Sequence, residues 1–424
     1  MGEIAAKGAL SLVPVILALI LAFRTKDAVF SLLIGCIVGV VIAGFDPATG
    51  LSKLFQKALG NGDFIWVVMI EIAVGIMVAF YLRAGVIASF AEWASTKIKS
   101  RRAASGFGWL LGIFIFFSDY FSPLFSGPIA RPLTDKYKVS REMLAYLLDS
   151  GSAPVCTLVP LTGWAVYIAG LLKGYGPIQD GNEGMAVFIK SIPYNFYGWF
   201  AVILAGLIGF QLIPNFGPMK KAEERAMKEG KVLRDGATPL TGEEMEMIKP
   251  LEGKKSNLFL YLVVPVLIVI SIAIGTFVAF GSAKILEAFF AAVMYQAVAM
   301  ALGGYFKGIK DGMDVAVKGI TGAMISFFTG TSWGTYAILT PFVLPVAMNL
   351  SGGEVNSLVL ATVGAVVGGG LFGDHCSPVS DTTCLSSFGA GSDHMDHVTT
   401  QLPYAMTAGV LAAVIFAIIG NISI

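Results

Sequence analysis

The sequence predicts an all-α polytopic membrane protein with about nine spans and two re-entrant helical hairpins. Of its 424 residues, 56% are hydrophobic and only 13% are charged, whereas soluble proteins carry roughly 25% charged residues. Long uncharged stretches recur along the whole chain, and two of them are interrupted in the middle by Ser, Asp, Gly and Pro. A multi-spanning membrane protein is the class that fits this composition.

The predicted spans fall in two groups, one on each side of a polar loop at 214–257. Each span has close to the roughly 20 apolar residues needed to cross a bilayer. They cover residues 8–23, 28–45, 64–82, 141–173, 191–213, 258–281, 285–306, 319–347 and 397–421. The net charge is only +1, so the composition indicates no nucleic-acid partner.

The first interrupted segment, 104–130, lies between two basic loops. These loops carry Arg83, Lys97, Lys99, Arg101 and Arg102 on one side, and Arg131, Lys136, Lys138 and Arg141 on the other. Because Lys and Arg concentrate in cytoplasmic loops, both loops are expected to be cytoplasmic. The segment is therefore predicted to return to its own side as a hairpin, which also places the basic 214–257 loop in the cytoplasm.

The second interrupted segment, 357–391, is predicted to be a hairpin that opens to the outside. Lys307, Lys310 and Lys318 indicate a cytoplasmic loop, so the following span should end outside. The stretches 348–356 and 392–396, which flank the segment, contain no Lys or Arg. Both flanks are therefore expected to be external.

An Asp-x-x-Ser-Pro pattern occurs at 119–123 and again at 374–378, at the two predicted hairpin tips. The halves are therefore predicted to be inverted-topology repeats, as in many secondary transporters. The first repeat would cover 1–190, a connecting span and cytoplasmic loop 191–257, and the second repeat 258–424. Ser and Gly residues at 149–154 and 329–335 predict two further breaks within spans.

Carboxylates in the apolar stretches are the main functional candidates, because a charge in lipid costs roughly 2.5–3.5 kcal/mol on insertion scales. Hydroxyl and carbonyl oxygens near them could complete a shell for a hard cation, and Na+ is predicted at Asp374, Ser377 and Asp381. The alternative is that Ser and Asp only cap half-helices. Glu71 is either a proton site or the partner of a basic residue. The predicted ion- or substrate-binding residues are Asp119, Ser122, Asp149, Ser150, Thr329, Thr331, Ser332, Thr335, Asp374, Ser377, Ser380, Asp381, Thr382 and Thr383.

Other chemistry has weaker support in the sequence. His375, His394, His397 and Cys376 match no common zinc spacing, and the last two histidines are expected in or beside an external loop. The cysteines show no disulfide spacing, and no phosphate-binding loop is present. No cofactor is therefore predicted, and residues 220–235 are expected to form an exposed amphipathic helix.

Three motifs together resemble the NhaC-type Na+/H+ antiporter family. They are Ser118-Asp119-Tyr120, the run Thr329-Gly330-Thr331-Ser332-Trp333-Gly334-Thr335, and the eleven residues 373–383. The resemblance implies paired hairpins in a mobile transport domain, elevator-type motion and a homodimer. Relatives of this family include malate/lactate exchangers and sodium–amino acid transporters. The family shows two adjacent acids before the tyrosine, where this chain has Ser118-Asp119, so the resemblance does not fix the exchanged species.

The resulting functional prediction is a Na+-coupled secondary transporter of the inner (plasma) membrane. It would resemble a Na+/H+ antiporter, work by alternating access at a mid-membrane site, and have Na+, H+ and membrane lipid as partners. The alternative is a Na+-driven symporter or exchanger of a small organic solute, such as an amino acid or carboxylate. A channel would need a continuous polar pore, and an enzyme would need a catalytic arrangement that the spans do not contain.

Overall fold

The computed structural model describes residues 10, 13–25, 28–60, 62–239, 248–280, 283–327 and 333–422. In this part of the chain the regular elements are helices. The helices before the polar loop, with one in the loop itself, are α1 Val13–Thr25, α2 Ala28–Ile42, α3 Pro47–Leu59, α4 Gly62–Arg83, α5 Val86–Lys97, α6 Arg101–Phe114, α7 Phe121–Lys136, α8 Arg141–Ser150, α9 Ala153–Cys156, α10 Gly163–Leu172, α11 Gly181–Ser191, α12 Phe196–Gly209 and α13 Gly217–Glu229.

After the polar loop, a π-helical turn at Phe259–Val263 leads into a second series of helices. These are α14 Val264–Phe280, α15 Ile285–Leu302, α16 Ile309–Phe327, α17 Trp333–Leu350, α18 Ser357–Cys376, α19 Asp381–Ala390 and α20 His394–Ile422. Every predicted span overlaps at least one helix. The prediction of an all-helical chain is therefore confirmed.

Four helices among the described residues are long and apolar enough to cross a membrane, and three bent helix pairs raise the number to as many as seven. The four are Phe259–Phe280, Ile285–Leu302, Ser357–Cys376 and His394–Asn421. Such helices are typical of a polytopic membrane protein. The prediction of about nine spans stays a prediction, because several predicted spans are broken into helices that are individually short.

Helices α6 and α7 fold back on each other as the first hairpin. At its base, Arg101 Nε donates to the carbonyl of Lys138 at 3.3 Å, and the Tyr137 hydroxyl donates to the carbonyl of Ile98 at 2.9 Å. The start of α6 is capped by Ser100, whose hydroxyl accepts from the backbone of Ala103. The tip lies at 115–120, inside the protein. We call the side of the bundle that contains this base the basic end.

The span that follows the hairpin is broken, as the sequence predicts. Ser140 caps the start of α8 at the basic end, and α8 stops at Ser150. The chain then makes the short helix α9 and an irregular stretch before α10, which Thr162 caps. Buried, non-helical backbone is thereby placed beside the hairpin tip, where it is tolerated in a membrane protein only against other protein or a polar cavity.

The second interrupted segment does not turn back, so the prediction of a hairpin over 357–391 is wrong. Its first helix, α18, packs Gly364 against the backbone of Tyr194, just before α12 begins. Its last residue, Gly391, accepts a hydrogen bond from Arg141 Nη1 at 2.9 Å, at the basic end. Helices α18 and α19 therefore run from one end of the bundle to the other.

The prediction failed because the loop after α19 contacts basic and polar groups that belong to another loop. The loop after α19 has no Lys or Arg of its own, but Asp396 accepts from Arg234 Nε at 2.9 Å, and Asp393 accepts from the backbone N–H of Thr238 at 2.9 Å. Arg234 and Thr238 belong to the same polar loop that was predicted to be cytoplasmic. The prediction that 1–190 and 258–424 are inverted repeats was based on two hairpins that open to opposite sides. Because the second segment does not turn back, it no longer supports that prediction.

Helix α13 is also more buried than predicted. Its Met219, Ala222 and Ala226 side chains face the protein, and the Glu223 carboxylate accepts from the backbone of Ser140 at 2.8 Å and pairs with Arg101. One face of the helix is solvated and carries Lys228, and the opposite face docks across the base of the first hairpin and the start of α8. It ties these elements together at the basic end.

Candidate functional site

Four buried aspartates meet where the tip of the first hairpin, the break after α8 and the loop between α18 and α19 come together. Asp119, Asp149, Asp374 and Asp381 each expose no more than 6% of their surface. Thr382 and Thr383 bridge Asp149, Asp374 and Asp381, and Tyr120, the residue after Asp119, contacts Asp381. We call this group the carboxylate cluster.

The loop from Cys376 to Ser380 and the first turn of α19 form one wall of the cluster. Asp374 accepts from the hydroxyls of Ser380 and Thr382, the latter at 2.8 Å, while the Thr382 backbone donates to Asp381 at 2.8 Å. Ser380 is also the N-cap of α19, because its hydroxyl accepts from the backbone of Thr383. The capping interpretation therefore holds for Ser380 but leaves Asp374 without a capping role.

The hairpin tip forms the opposite wall. The Tyr120 hydroxyl donates to Asp381 Oδ2 at 2.9 Å, and the Trp164 indole N–H donates to Asp119 Oδ2 at 2.6 Å. The contact between Tyr120 and Asp381 depends on the close approach of α7 and α19, which run in the same direction with Gly127 against the backbone of Gly389. The sequence predicted Asp119 and Asp381, but the tyrosine and tryptophan that position them were missed.

Asp149 lies at the end of α8 with one carboxylate oxygen bound and one free. Its Oδ2 accepts from the Thr383 hydroxyl at 2.9 Å and from Gln401 Nε2 at 2.6 Å. Its Oδ1 is buried and has no hydrogen-bond partner among the described residues. An unpartnered buried acceptor is costly, and a bound proton or cation would remove that cost.

Several predicted residues do not face the cluster. Ser377 is only half-buried, and its hydroxyl accepts from the backbone of Val379 at 3.1 Å, so it stabilises its own loop instead of joining the predicted Na+ set. Ser122 donates to the carbonyl of Gly151, and Ser150 contacts His375 at 3.3 Å. Residues 329, 331 and 332 lie outside the described residues. The side chains of Glu71 in α4 and Thr335 in α17 are likewise outside the description.

All three histidines lie beside the cluster, although His394 and His397 were predicted to lie in or beside an external loop. His375 and His397 are buried, and their Nε2 atoms lie 3.8 and 3.9 Å from Asp149 Oδ2. His394 is half-buried at the start of α20. The external placement of these last two histidines is wrong for the same reason as the second hairpin, because α20 begins at the basic end. Within the described residues, no three His, Cys, Asp or Glu side chains are arranged to hold a metal ion together.

The charge of the cluster is not balanced by basic side chains. Among the described residues, Asp149 lies within ion-pair range of two histidines, the other three aspartates form no ion pair, and none of the four pairs with Lys or Arg. Several carboxylates buried without a permanent positive partner are strongly disfavoured unless they bind cations or protons. The arrangement is therefore suited to exchange small cations and protons on shared oxygen atoms.

Comparison of the sequence with known proteins shows which family it matches. The sequence model of the Na+/H+ antiporter family matches residues 155–322 and 312–421. An uncharacterized protein of Haemophilus influenzae is 30% identical over 478 aligned positions, which cover 97% of this chain and 90% of that protein.

Two further relatives match over a shorter stretch. The Na+/H+ antiporter NhaC of Alkalihalophilus pseudofirmus and the malate-2H+/Na+-lactate antiporter of Bacillus subtilis are each 34% identical over 98 residues, 23% of this chain and 20% of each relative. These names agree with the resemblance seen in the motifs. They describe proteins that exchange ions or small carboxylates across a membrane.

Proposed function

Because this chain belongs to the Na+/H+ antiporter family, we propose that it is a secondary transporter that exchanges Na+ for H+ at the carboxylate cluster. The observation that carries this proposal is a set of four buried aspartates with no Lys or Arg partner among the described residues. Such a cluster needs cationic cargo, because it would otherwise hold uncompensated charge away from water.

We assign Na+ to Asp374 and Asp381, with Thr382 between them, and the exchanged proton to Asp149. Carboxylate, hydroxyl and backbone oxygens are the ligands that hard cations prefer. Asp374 and Asp381 are bridged by hydroxyl and backbone groups of Thr382. Asp149 has fewer oxygen neighbours, but the Nε2 atoms of two histidines lie 3.8 and 3.9 Å from its Oδ2, which suits a proton site better than ion coordination.

Alternating access would follow from competition between the two cations. Na+ on Asp374 and Asp381 lowers the need for a proton on Asp149, and proton binding has the converse effect. The cluster lies between the first hairpin and α18–α19, so movement of these elements against the remaining helices would expose it to one side at a time. An elevator-type displacement in the inner membrane, within a homodimer surrounded by lipid, is the form of motion that we propose.

The experiment is the internal pH of proteoliposomes after a sodium gradient is imposed with the membrane potential clamped. We expect a Na+-dependent pH change in the wild type and its loss in Asp374→Asn and Asp381→Asn. Asp235→Asn is the matched control, because Asp235 is exposed and pairs only with Lys231 on the surface. Wild-type exchange in both cluster variants would overturn the assignment.

A second candidate is Na+-coupled exchange of a small organic carboxylate. It is favoured by the similarity to the malate-2H+/Na+-lactate antiporter and by the serine at position 118, where the family pattern has a second acid. Vesicles that bind Na+ but show no pH change would support this alternative. Uptake of labelled small carboxylates and amino acids would then identify the solute.

A further inference from the structure

All three histidines of the chain belong to one hydrogen-bonded network beside Asp149. His394 and His397 lie one turn apart at the start of α20, and Ser387 of α19 lies between their rings. The Ser387 Oγ is 3.0 Å from His394 Nδ1 and 2.8 Å from His397 Nδ1. The number of protons on the two rings therefore follows from the donors and acceptors that surround them.

The outer nitrogen of each ring must carry a hydrogen. His394 Nε2 faces the carbonyl oxygen of Pro378 at 2.8 Å, and His397 Nε2 faces Gln401 Oε1 at 2.9 Å. Both partners are acceptors. The orientation of the Gln401 amide is fixed by its other contacts, since Nε2 donates to Asp149 Oδ2 at 2.6 Å and to the carbonyl of His375 at 2.8 Å.

The inner nitrogens then cannot both be satisfied in neutral rings. A neutral imidazole has a single N–H, so both Nδ1 atoms would be bare acceptors facing the same hydroxyl. Ser387 has one hydrogen to give, and the carbonyl of Thr383 at 2.8 Å competes for it. At least one Nδ1 would face an oxygen lone pair. One additional proton removes the conflict, because one ring then donates to Ser387 while Ser387 donates to the other ring.

We propose that His394, Ser387 and His397 form a binding site for a single proton, shared between the two imidazoles. His394 is half-buried at the basic end and His397 is fully buried beside Asp149, so the site joins that end of the bundle to the carboxylate cluster. Its part in transport rests on the proposed Na+/H+ exchange, in which it would pass protons between solvent and Asp149. The binding of the proton itself does not depend on exchange.

Two of the charged and titratable groups around the pair are carboxylates. Asp149 on α8 lies 3.9 Å from His397 Nε2, and Asp393 immediately precedes His394 in the chain. Cys384 on α19 lies 3.6 Å from His394 Nε2. His375 on α18 also lies beside Asp149, but a neutral ring satisfies its hydrogen-bond partners without an extra proton.

His375 therefore serves as an internal reference. Its Nδ1 is 2.9 Å from the Tyr197 hydroxyl, which can donate to it, and its Nε2 faces Ser150 at 3.3 Å and Asp149 at 3.8 Å, which can accept from it. A neutral ring with its hydrogen on Nε2 satisfies all of these partners. We expect this histidine to stay neutral while the other two share a proton.

The test is ¹⁵N NMR of the full-length protein labelled only at histidine, titrated over roughly pH 5–8, where histidine charge changes occur. Single His→Gln variants assign the three rings. We expect imidazolium signals from the 394/397 pair, neutral signals from His375, and loss of the imidazolium signal in His397→Gln. The smaller substitution Ser387→Ala removes the hydroxyl between the two rings, so the signals of His394 and His397 should become separate. Three neutral rings throughout the titration would overturn the proposal.

Transport measurements separate this inference from the proposed function. If wild-type vesicles show no Na+-driven pH change but the NMR finds the shared proton, the exchange proposal fails and the proton site stands. If exchange is present and its pH dependence is the same in wild type, His397→Gln and His375→Gln, the 394/397 pair has no role in proton delivery. Loss of the acidic limb of the pH profile in His397→Gln, with Na+ binding retained, is the expected result.

Discussion

The packing of α7 against α19 gives a quantitative test of the site. Gly127 and Gly389 touch through their backbones, and a Cβ added at Gly127 would lie 2.3 Å from the backbone of Gly389. An ordinary contact needs at least 3.4 Å, so the Gly127→Ala variant must separate the two helices by about 1 Å. Overpacking of this kind costs about 1–3 kcal/mol.

The separation would act directly on the carboxylate cluster. The Tyr120 hydroxyl lies 2.9 Å from Asp381 Oδ2, and a displacement of α19 by about 1 Å carries this pair beyond hydrogen-bond range. A hydrogen bond to a charged group contributes about 1.5–3 kcal/mol. We therefore expect Gly127→Ala to lower the unfolding temperature and to lose most Na+-dependent transport, measured in proteoliposomes and by thermal unfolding in detergent.

The control is Gly369→Ala in the neighbouring helix α18, where an added Cβ meets no atom within 4 Å. Alanine is favoured over glycine in a helix by about 1 kcal/mol, so this variant should be as stable as the wild type or more so, with transport intact. If Gly127→Ala matches the control in both stability and transport, the close approach of α7 and α19 does not position Asp381.

Two further predictions concern the basic end. Arg225→Ala should destabilise the protein by about 3–5 kcal/mol in chemical or thermal unfolding, because it leaves the buried Glu142 carboxylate without its partner at 2.8 Å. The control, Lys228→Ala, breaks only an exposed ion pair and should change stability by less than about 1 kcal/mol. Equal effects of the two substitutions would refute the buried pairing. A cysteine at Met395 should be labelled from the same side of intact cells as a cysteine at Gly236, and labelling from opposite sides would restore the outward-opening hairpin.

The parts of the site that the sequence could predict are those in which a residue type conflicts with its surroundings. Asp119, Asp149, Asp374 and Asp381 are visible in the sequence because a carboxylate in an apolar stretch is costly. The break after α8 is visible because Ser, Gly and Pro interrupt a helix. These signals are local, and the structure brings all four aspartates together.

The residues that hold the aspartates in place could not be predicted in the same way. Tyr120, Trp164 and Gln401 are common residue types on membrane helices, and nothing in their local pattern distinguishes them from packing residues. Their roles arise from the way α20 lies along α18 and α10 approaches the hairpin tip. His394 and His397 were missed because the position of α20 depends on the direction of α19.

The direction of α19 also limits the polar routes between the basic end and the carboxylate cluster. Helices α7 and α19 both run from the cluster to the basic end, and the contact between Gly127 and Gly389 closes the seam between them. On another side of α19, Ser387 and the two histidines of α20 continue from Asp149 toward the same end. In the part of the chain that the structure describes, Gln401 hydrogen-bonds to both His397 and Asp149 and so completes a hydrogen-bonded path out of the cluster. The same end carries the ion pair between Arg234 and Asp396, which a loop-by-loop count of Lys and Arg does not detect.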